Sequence, residues 1–212
     1  MMTLPSFMAI LDADLAREAG WQTNALASAL LSGGATLLQL RAKRAPGGWL
    51  LDAASAVVAL AHGAAARVII NDRADIARLS GSDGVHVGQD DLAPAQVRSI
   101  VGAQMMVGLS THTREQVEAA VAQPVSYVAI GPVFDTRTKP SDTRALGLAG
   151  VREAAAITRA AGLPLVAIGG ITLETASEVI GAGAASVAVI SDLLVGGSPE
   201  ARARAYLERL TV

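Results

Sequence analysis

The chain has 212 residues, of which 51% are hydrophobic, and this is enough for one domain with a substantial core. Its net charge of −2 and its two residues each of Trp, Tyr and Phe exclude a basic, base-stacking surface for nucleic acid or an electrostatic attraction to anionic membranes. The absence of cysteine excludes disulfides, Cys-ligated zinc and a cysteine nucleophile.

The sequence favours a cytoplasmic protein. The first residues lack a basic stretch and soon reach Asp12 and Asp14, so a secretory signal is not expected. Apolar runs break well before the 18 residues that a bilayer span needs. We therefore expect small-molecule partners, with no nucleic acid and no membrane, while the sequence gives no indication of oligomeric state.

Eight short apolar runs recur along the chain. Their hydrophobic residues are continuous rather than alternating, which is typical of strands that are buried on both faces in a parallel sheet. Ala- and Leu-rich segments with helical spacing separate the runs. The predicted strands are 7–11, 35–40, 67–70, 84–87, 105–109, 127–130, 164–168 and 186–190.

Eight alternating strands and helices predict an α/β fold, a compact (β/α)8 TIM barrel that forms one domain over residues 1–212. An open doubly wound sheet is the alternative, but it should carry a Gly-rich dinucleotide motif after the first strand. Residues 12–14, Asp-Ala-Asp, stand there instead.

Three helices have start signals. Asp72 is a candidate N-cap after the third strand, Thr113 with Gln116 predicts a capping box, and Ser198 before Pro199 predicts the start of the last helix.

Catalysis in this fold takes place at the carboxyl ends of the strands. After the second strand, Gln39, Arg41 and Lys43 alternate and so share one face of an extended segment. That face can point into the mouth of the barrel and offer two cations. A solvated strand end explains the same pattern equally well.

Two carboxylates follow neighbouring strands. Asn71 and Asp72 come after the third strand, and Asp91 comes after the fourth. Each acid could be a helix cap or a turn residue. As a pair at adjacent strand ends, Asp72 and Asp91 predict a site for Mg²⁺.

Ser110 and His112 follow the fifth strand. His112 is a candidate general base, although a helix-start histidine bonded to a neighbour accounts for it slightly better. His86 is expected to be a packed, hydrogen-bonded core residue and His62 a surface residue. These positions do not predict a Ser–His–Asp relay.

A long polar loop, 131–147, follows the sixth strand, and loops of this length are usually functional or disordered. It carries Thr136, Thr138 and Lys139. Backbone amides at glycine turns and helix starts bind phosphate, and TIM barrels often place such a site after strands seven and eight. The residues there are Gly169, Gly170, Ile190 and Ser191.

Together these groups suit a pyrophosphate with Mg²⁺ at one side of the mouth and a phosphorylated partner at the other. They include no convincing nucleophile. The motifs QLRAK, INDRADIA, DGVHVGQDD, GLSTH, YVAIGPVFDTRTK, VAIGGI and SVAVIS occur in this order. In these motifs the chain, from about residue 20 onward, resembles the thiamine phosphate synthase family.

The resemblance implies a (β/α)8 barrel that joins 4-amino-5-hydroxymethyl-2-methylpyrimidine pyrophosphate to 4-methyl-5-(2-hydroxyethyl)thiazole phosphate by a dissociative substitution. It assigns the metal to Asp72 and Asp91, and catalysis to Arg41, Lys43, Ser110 and Lys139. Those four residues, with Gln39 and Asn71, would bind the pyrimidine pyrophosphate. The thiazole phosphate would be bound by Thr136, Thr138, Gly170, Ile190 and Ser191.

Two expectations depend on this resemblance. Residues 131–147 would form a lid with hinges at Gly131 and Gly147, which closes over the reacting cation. The first strand ends in Leu11-Asp12 where the family usually has Thr-Asp, so its contribution to the pocket is left open.

Three rival functions remain open. A thiazole tautomerase would need an acid/base such as His112, and a silent thiazole- or thiamine-phosphate-binding regulator would not need the metal pair. An unrelated phosphosugar enzyme would need a catalytic lysine within a strand or paired carboxylates, and the sequence offers no clear candidate.

Overall fold

Each apolar run of the sequence forms a parallel strand, and the eight strands close into a barrel in chain order. The computed structural model of the protein describes residues 3–136 and 144–211. Closure comes from pairing of the last strand with the first, in which Phe7 lies opposite Val187. The strands are β1 (Phe7–Asp12), β2 (Leu37–Arg41), β3 (Arg67–Asn71), β4 (Gly84–Val87), β5 (Met106–Thr111), β6 (Tyr127–Ile130), β7 (Leu165–Ile168) and β8 (Ser186–Val189).

The closed barrel confirms the predicted (β/α)8 architecture and excludes the open sheet. The assignment of residues 1–212 to one domain stays a prediction. Helices surround the strands in the described part of the chain, and a short 3-10 segment, Ser191–Gly197, follows β8. The helices are α1 (Ala13–Glu18), α2 (Thr23–Ser32), α3 (Gly47–Gly63), α4 (Ala74–Ser80), α5 (Pro94–Val101), α6 (Arg114–Ala120), α7 (Gly147–Ala160), α8 (Ala176–Gly181) and α9 (Pro199–Leu210).

Side chains alternate along each strand between two buried layers. One set packs outward against the helices, as Leu38 and Val187 do. The other set fills the barrel interior, and two positions further along the same strands this interior face reaches the mouth. The hydrophobic members of the interior set are Met8, Ile10, Leu37, Ile69, Met106, Tyr127, Ala129, Val166 and Ala188.

The helix starts match the sequence in two cases and differ in one. Thr113 accepts the Gln116 amide proton and Ser198 accepts that of Ala201, as the predicted N-caps do. The capping box predicted for Thr113 and Gln116 is not formed, because Gln116 Oε1 accepts the amide proton of His112 instead of that of Thr113. The prediction that Asp72 caps α4 is wrong. Arg73 occupies the N-cap position, and its side chain makes no capping bond.

The last helix packs closely against α2. A Cβ atom added to Gly33 would lie 2.5 Å from the Glu200 carbonyl oxygen and 2.8 Å from the Ala203 Cβ atom. The φ angle of Gly33 is −72°, so a side chain would be excluded by this contact and not by the backbone conformation. None of the helices in the described residues is long and apolar enough to cross a membrane.

Replacement of Gly33 by alanine should therefore destabilise the barrel by about 1–3 kcal/mol, the usual cost of overpacking. Urea or thermal denaturation measures the effect. Gly48→Ala is the matched control, because a Cβ atom at Gly48 in α3 would meet nothing within 4 Å. If both variants unfold at the same point as the parent protein, α2 and α9 do not pack as described.

Candidate active site

A cleft opens at the carboxyl ends of the strands, where the predicted site residues converge. Its walls carry residues from all eight strands or the segments that follow them. Of the predicted set, Gln39, Arg41, Lys43, Asn71, Asp72, Asp91, Ser110, Thr136 and Ile190 line this cleft. The strand closure brings these residues together although they are spread from Gln39 to Ile190 in the sequence.

The first strand contributes an ion pair. Asp12 is 4% exposed, and its Oδ2 atom binds the Arg41 guanidinium while its Oδ1 atom accepts the amide protons of Asp14 and Leu15. The same carboxylate thus caps α1 and orients Arg41. This answers the question left by the unusual end of β1, since Asp12 supports a residue of the mouth across the β1–β2 pair.

Lys43 pairs with a carboxylate that has an unusual backbone. The Lys43 Nζ atom lies 2.7 Å from Asp72 Oδ2, and Asp72 has a φ angle of +63°. Few residues other than glycine adopt that region, and such strained positions cluster at functional sites. The Asp72 amide donates to the His86 carbonyl at 2.7 Å, which fixes the turn and aims the side chain at the cleft instead of at the start of α4.

Burial raises the pKa of Asp72, and the neighbouring Asp91 carboxylate raises it further, whereas Lys43 opposes the shift. Asp91 also accepts the Gly88 amide proton at 2.8 Å, so the turn role considered for it holds as well. Two carboxylates this close to each other are a suitable donor pair for a hard divalent cation. The donor set therefore fits Mg²⁺, although the described residues hold no cluster of three or more metal-binding side chains.

The charges around this part of the mouth point the same way. Arg41 and Lys43 face the three carboxylates of Asp12, Asp72 and Asp91, so this group of five carries a net negative charge. Among the described residues, this balance of charge disfavours a polyanion, and a cation at the carboxylates would offset it. A divalent cation at Asp72 and Asp91 would reverse the sign.

Below the rim, Ser110 takes part in a buried chain of hydrogen bonds. Its Oγ atom lies 2.8 Å from His86 Nε2, and His86 Nδ1 lies 2.9 Å from the Tyr127 hydroxyl. His86 is the packed, bonded residue that the sequence predicted, but it and Tyr127 also line the cleft. Sequence reasoning missed both as site residues, because only strand register shows that they meet Ser110.

The remaining histidines match their predictions. His112 Nδ1 lies 2.6 Å from the Gly131 carbonyl oxygen, so it is a bonded histidine next to a helix start that also lines the cleft. His62 is partly exposed and pairs with Asp83 at 3.0 Å, away from the mouth.

A second hollow adjoins the cleft and contains residues of the phosphate site that was predicted after strands seven and eight. Gly170 has a φ angle of +64°, and a Cβ atom there would lie 2.6 Å from the Asp135 carbonyl oxygen. This residue and Ser191 lie in the second hollow only. Thr136, Ile168, Gly169, Ala188 and Ile190 line both hollows, which makes them one continuous cleft.

The chain matches the family model described as thiamine monophosphate synthase over residues 7–193. The chain belongs to this family. The thiamine-phosphate synthase of Koribacter versatilis is 44% identical over 211 residues, which cover 99% of this chain and 97% of the relative. The corresponding protein of Anaeromyxobacter dehalogenans is 45% identical over 84% of this chain and 79% of its own.

A solved structure of thiamine phosphate pyrophosphorylase from Pyrococcus furiosus superimposes with a TM-score of 0.85 at 26% identity and covers 98% of both chains. The thiamine monophosphate synthase family predicted from the sequence is therefore confirmed, together with its fold and its role in thiamine biosynthesis as a transferase.

Two predicted site residues, Thr138 and Lys139, lie outside the described residues, as does the middle of the predicted lid. The lid stays a prediction. One of its suggested hinges has another explanation, since a Cβ atom at Gly131 would lie 2.2 Å from the Ile168 carbonyl oxygen. Close packing of β6 against β7 accounts for that glycine, so its presence no longer argues for a hinge.

The electrostatics of Asp72 can be tested directly. In the metal-free protein, Lys43→Met should raise the pKa of Asp72, because it removes the cation that favours the carboxylate, and Asp91→Asn should lower it. Carboxyl ¹³C NMR titration measures both shifts. Arg44→Met is the control, since Arg44 is exposed and pairs with Asp14. Shifts of the same sign in Lys43→Met and Asp91→Asn would contradict the geometry.

Proposed function

We propose that this protein condenses 4-amino-5-hydroxymethyl-2-methylpyrimidine pyrophosphate with 4-methyl-5-(2-hydroxyethyl)thiazole phosphate, or its carboxylated form, to give thiamine phosphate and pyrophosphate. Family membership supports the reaction. The observation that carries the assignment to this cleft is its continuity, with a charged end at Arg41, Lys43, Asp72 and Asp91 and a glycine-turn end at Gly170 and Ser191. Two phosphorylated substrates can thus lie end to end.

The reaction needs no protein nucleophile. The C–O bond between the pyrimidine methylene and pyrophosphate breaks with its electron pair on the leaving oxygen, and the aminopyrimidine stabilises the methylene cation. The lone pair of the thiazole nitrogen then forms the new C–N bond. What the protein supplies is charge at the leaving group and alignment of the two rings.

Arg41, Lys43 and Lys139 would neutralise the departing pyrophosphate, with Gln39, Asn71 and Ser110 binding the pyrimidine part. Asp72 and Asp91 would hold Mg²⁺, which when bound would supply positive charge at the pyrophosphate oxygens. Asp12 would keep the Arg41 guanidinium in place, because its other oxygen is fixed by the α1 amides. A guanidinium held in one orientation loses less conformational entropy when it binds an anion.

The middle of the cleft suits a reactive cation. Ile10, Ala129, Val166, Ile168 and Ala188 give it an apolar floor between the charged end and the glycine-turn end. Such a surface excludes water, which would otherwise trap the pyrimidine cation as an alcohol. Thr136 and Thr138 would bind the thiazole phosphate together with Gly170, Ile190 and Ser191. A cytoplasmic location is part of this proposal.

A coupling assay tests the proposal. Purified protein with both substrates and Mg²⁺ should yield a product that oxidises to a thiochrome-type fluorophore, and EDTA should abolish it. Failure to form product, while thiazole phosphate still binds by calorimetry, would contradict the synthase and favour the tautomerase or the silent binder.

The metal pair can be tested in the same assay. Asp72→Asn and Asp91→Asn should each lower kcat by roughly 100-fold and raise the Mg²⁺ concentration needed for half-maximal rate, because metal charge at a leaving group contributes several kcal/mol. Asp90→Asn is the control, since Asp90 is an exposed carboxylate beside Asp91 that does not line the cleft. Equal rates in all three variants would contradict a metal-binding role and leave Asp72 and Asp91 with a role in their turns alone.

A further inference from the structure

The hydrogen-bonded chain beneath the rim is built around a glycine. His86, Gly108 and Tyr127 lie side by side on β4, β5 and β6, because the strand register pairs Gly108 with both neighbours. A Cβ atom at Gly108 would lie 2.1 Å from Tyr127 Cζ and 2.4 Å from both the Tyr127 hydroxyl and His86 Nδ1. No side chain fits at position 108. Because Gly108 has none, the Tyr127 hydroxyl can occupy that space and contact His86.

Stacking and burial fix the orientation of the His86 and Tyr127 rings. The His86 and Tyr127 rings are stacked with centroids 5.5 Å apart and planes 23° from parallel. Tyr127 is fully buried and His86 is 7% exposed. Ser110 lies two residues after Gly108 on the same strand and therefore on the same interior face. Its hydroxyl is at the boundary between this buried tier and the open cleft.

The direction of the protons follows from the tyrosine. Burial raises the pKa of the Tyr127 phenol, so it keeps its proton. Within the described residues His86 Nδ1 is the hydrogen-bond partner of that hydroxyl. The buried phenol needs an acceptor for this proton, and Nδ1 serves as one only when a neutral imidazole carries its own proton on Nε2. His86 then donates to Ser110 Oγ, so the serine proton points away from His86.

We propose that Tyr127 and His86 are positioning residues, which hold Ser110 so that its hydroxyl donates a hydrogen bond to an acceptor atom of the pyrimidine pyrophosphate. This inference rests on the proposed function. It differs from a Ser–His catalytic pair, because a His86 that donates through Nε2 cannot take the serine proton. Ser110 acts here as an oriented donor and not as a nucleophile.

The first test reads the tautomer and needs no substrate. Long-range ¹H–¹⁵N NMR distinguishes the two imidazole tautomers, and the chain has three histidines, so substitution of His62 and His112 assigns the His86 signals. The parent protein should show His86 protonated on Nε2. Tyr127→Phe, which removes only the hydroxyl, should give a mixture of both tautomers.

Tyr206→Phe is the matched control. Tyr206 is the other tyrosine of the chain and is also fully buried, but its hydroxyl binds Asp192. It should leave the His86 signals unchanged, so a comparison of the two variants separates a general loss of packing from a loss of the donor to Nδ1. A parent protein with His86 protonated on Nδ1 would overturn the proposal, and so would a Tyr127→Phe variant with unchanged His86 signals.

The second test measures coupling to Ser110. Tyr127→Phe should lower kcat about fivefold with little change in KM for thiazole phosphate, the scale expected for one lost neutral hydrogen bond. In a Ser110→Ala background the same substitution should change kcat less than about twofold, because its effect passes through the missing hydroxyl. Independent, multiplying effects would overturn the proposal.

The two tests separate the possible failures. If the parent protein forms no thiamine phosphate, the proposed function fails, and the NMR comparison alone decides whether Tyr127 and His86 orient Ser110.

Discussion

Pairing of β8 with β1 brings the carboxyl ends of all eight strands onto one rim, and the whole candidate site depends on that closure. Lys43 and Asp72 follow different strands, yet their charged atoms lie 2.7 Å apart because β2 and β3 are neighbours in the barrel. The Asp12–Arg41 pair likewise joins the ends of β1 and β2. The charged residues at the described part of the rim thus come from several segments of the chain.

The mouth is organised in tiers that follow the alternation of side chains. Charged groups stand at the rim, a tier of hydrogen-bonded polar residues lies beneath it, and the apolar residues of the barrel interior close the bottom. Gly108 allows the middle tier to form, since any side chain there would displace Tyr127. This order of tiers, from charged to apolar, suits a reaction in which a polyanion leaves at the rim while a cation is held over the apolar surface below.

Much of this could be predicted from the sequence, because strand period and chain order fix which residues reach the rim. Lys43, Asp72 and Ser110 follow predicted strands, and the structure brings them into one cleft. The prediction that Asp72 caps α4 is wrong, since the positive φ angle of Asp72 turns its carboxylate away from that helix. The partnership of His86 with Tyr127 could not be predicted, because it depends on a register across three strands and on space left by a glycine.

The most direct test of the account is a crystal structure of the protein grown with thiamine phosphate, pyrophosphate and Mg²⁺. We expect pyrophosphate beside Arg41 and Lys43, the metal between it and the carboxylates of Asp72 and Asp91, and the phosphate of the product at Gly170. Pyrophosphate bound at the glycine turn instead, or a metal held away from both carboxylates, would contradict the assignment of the two ends of the cleft.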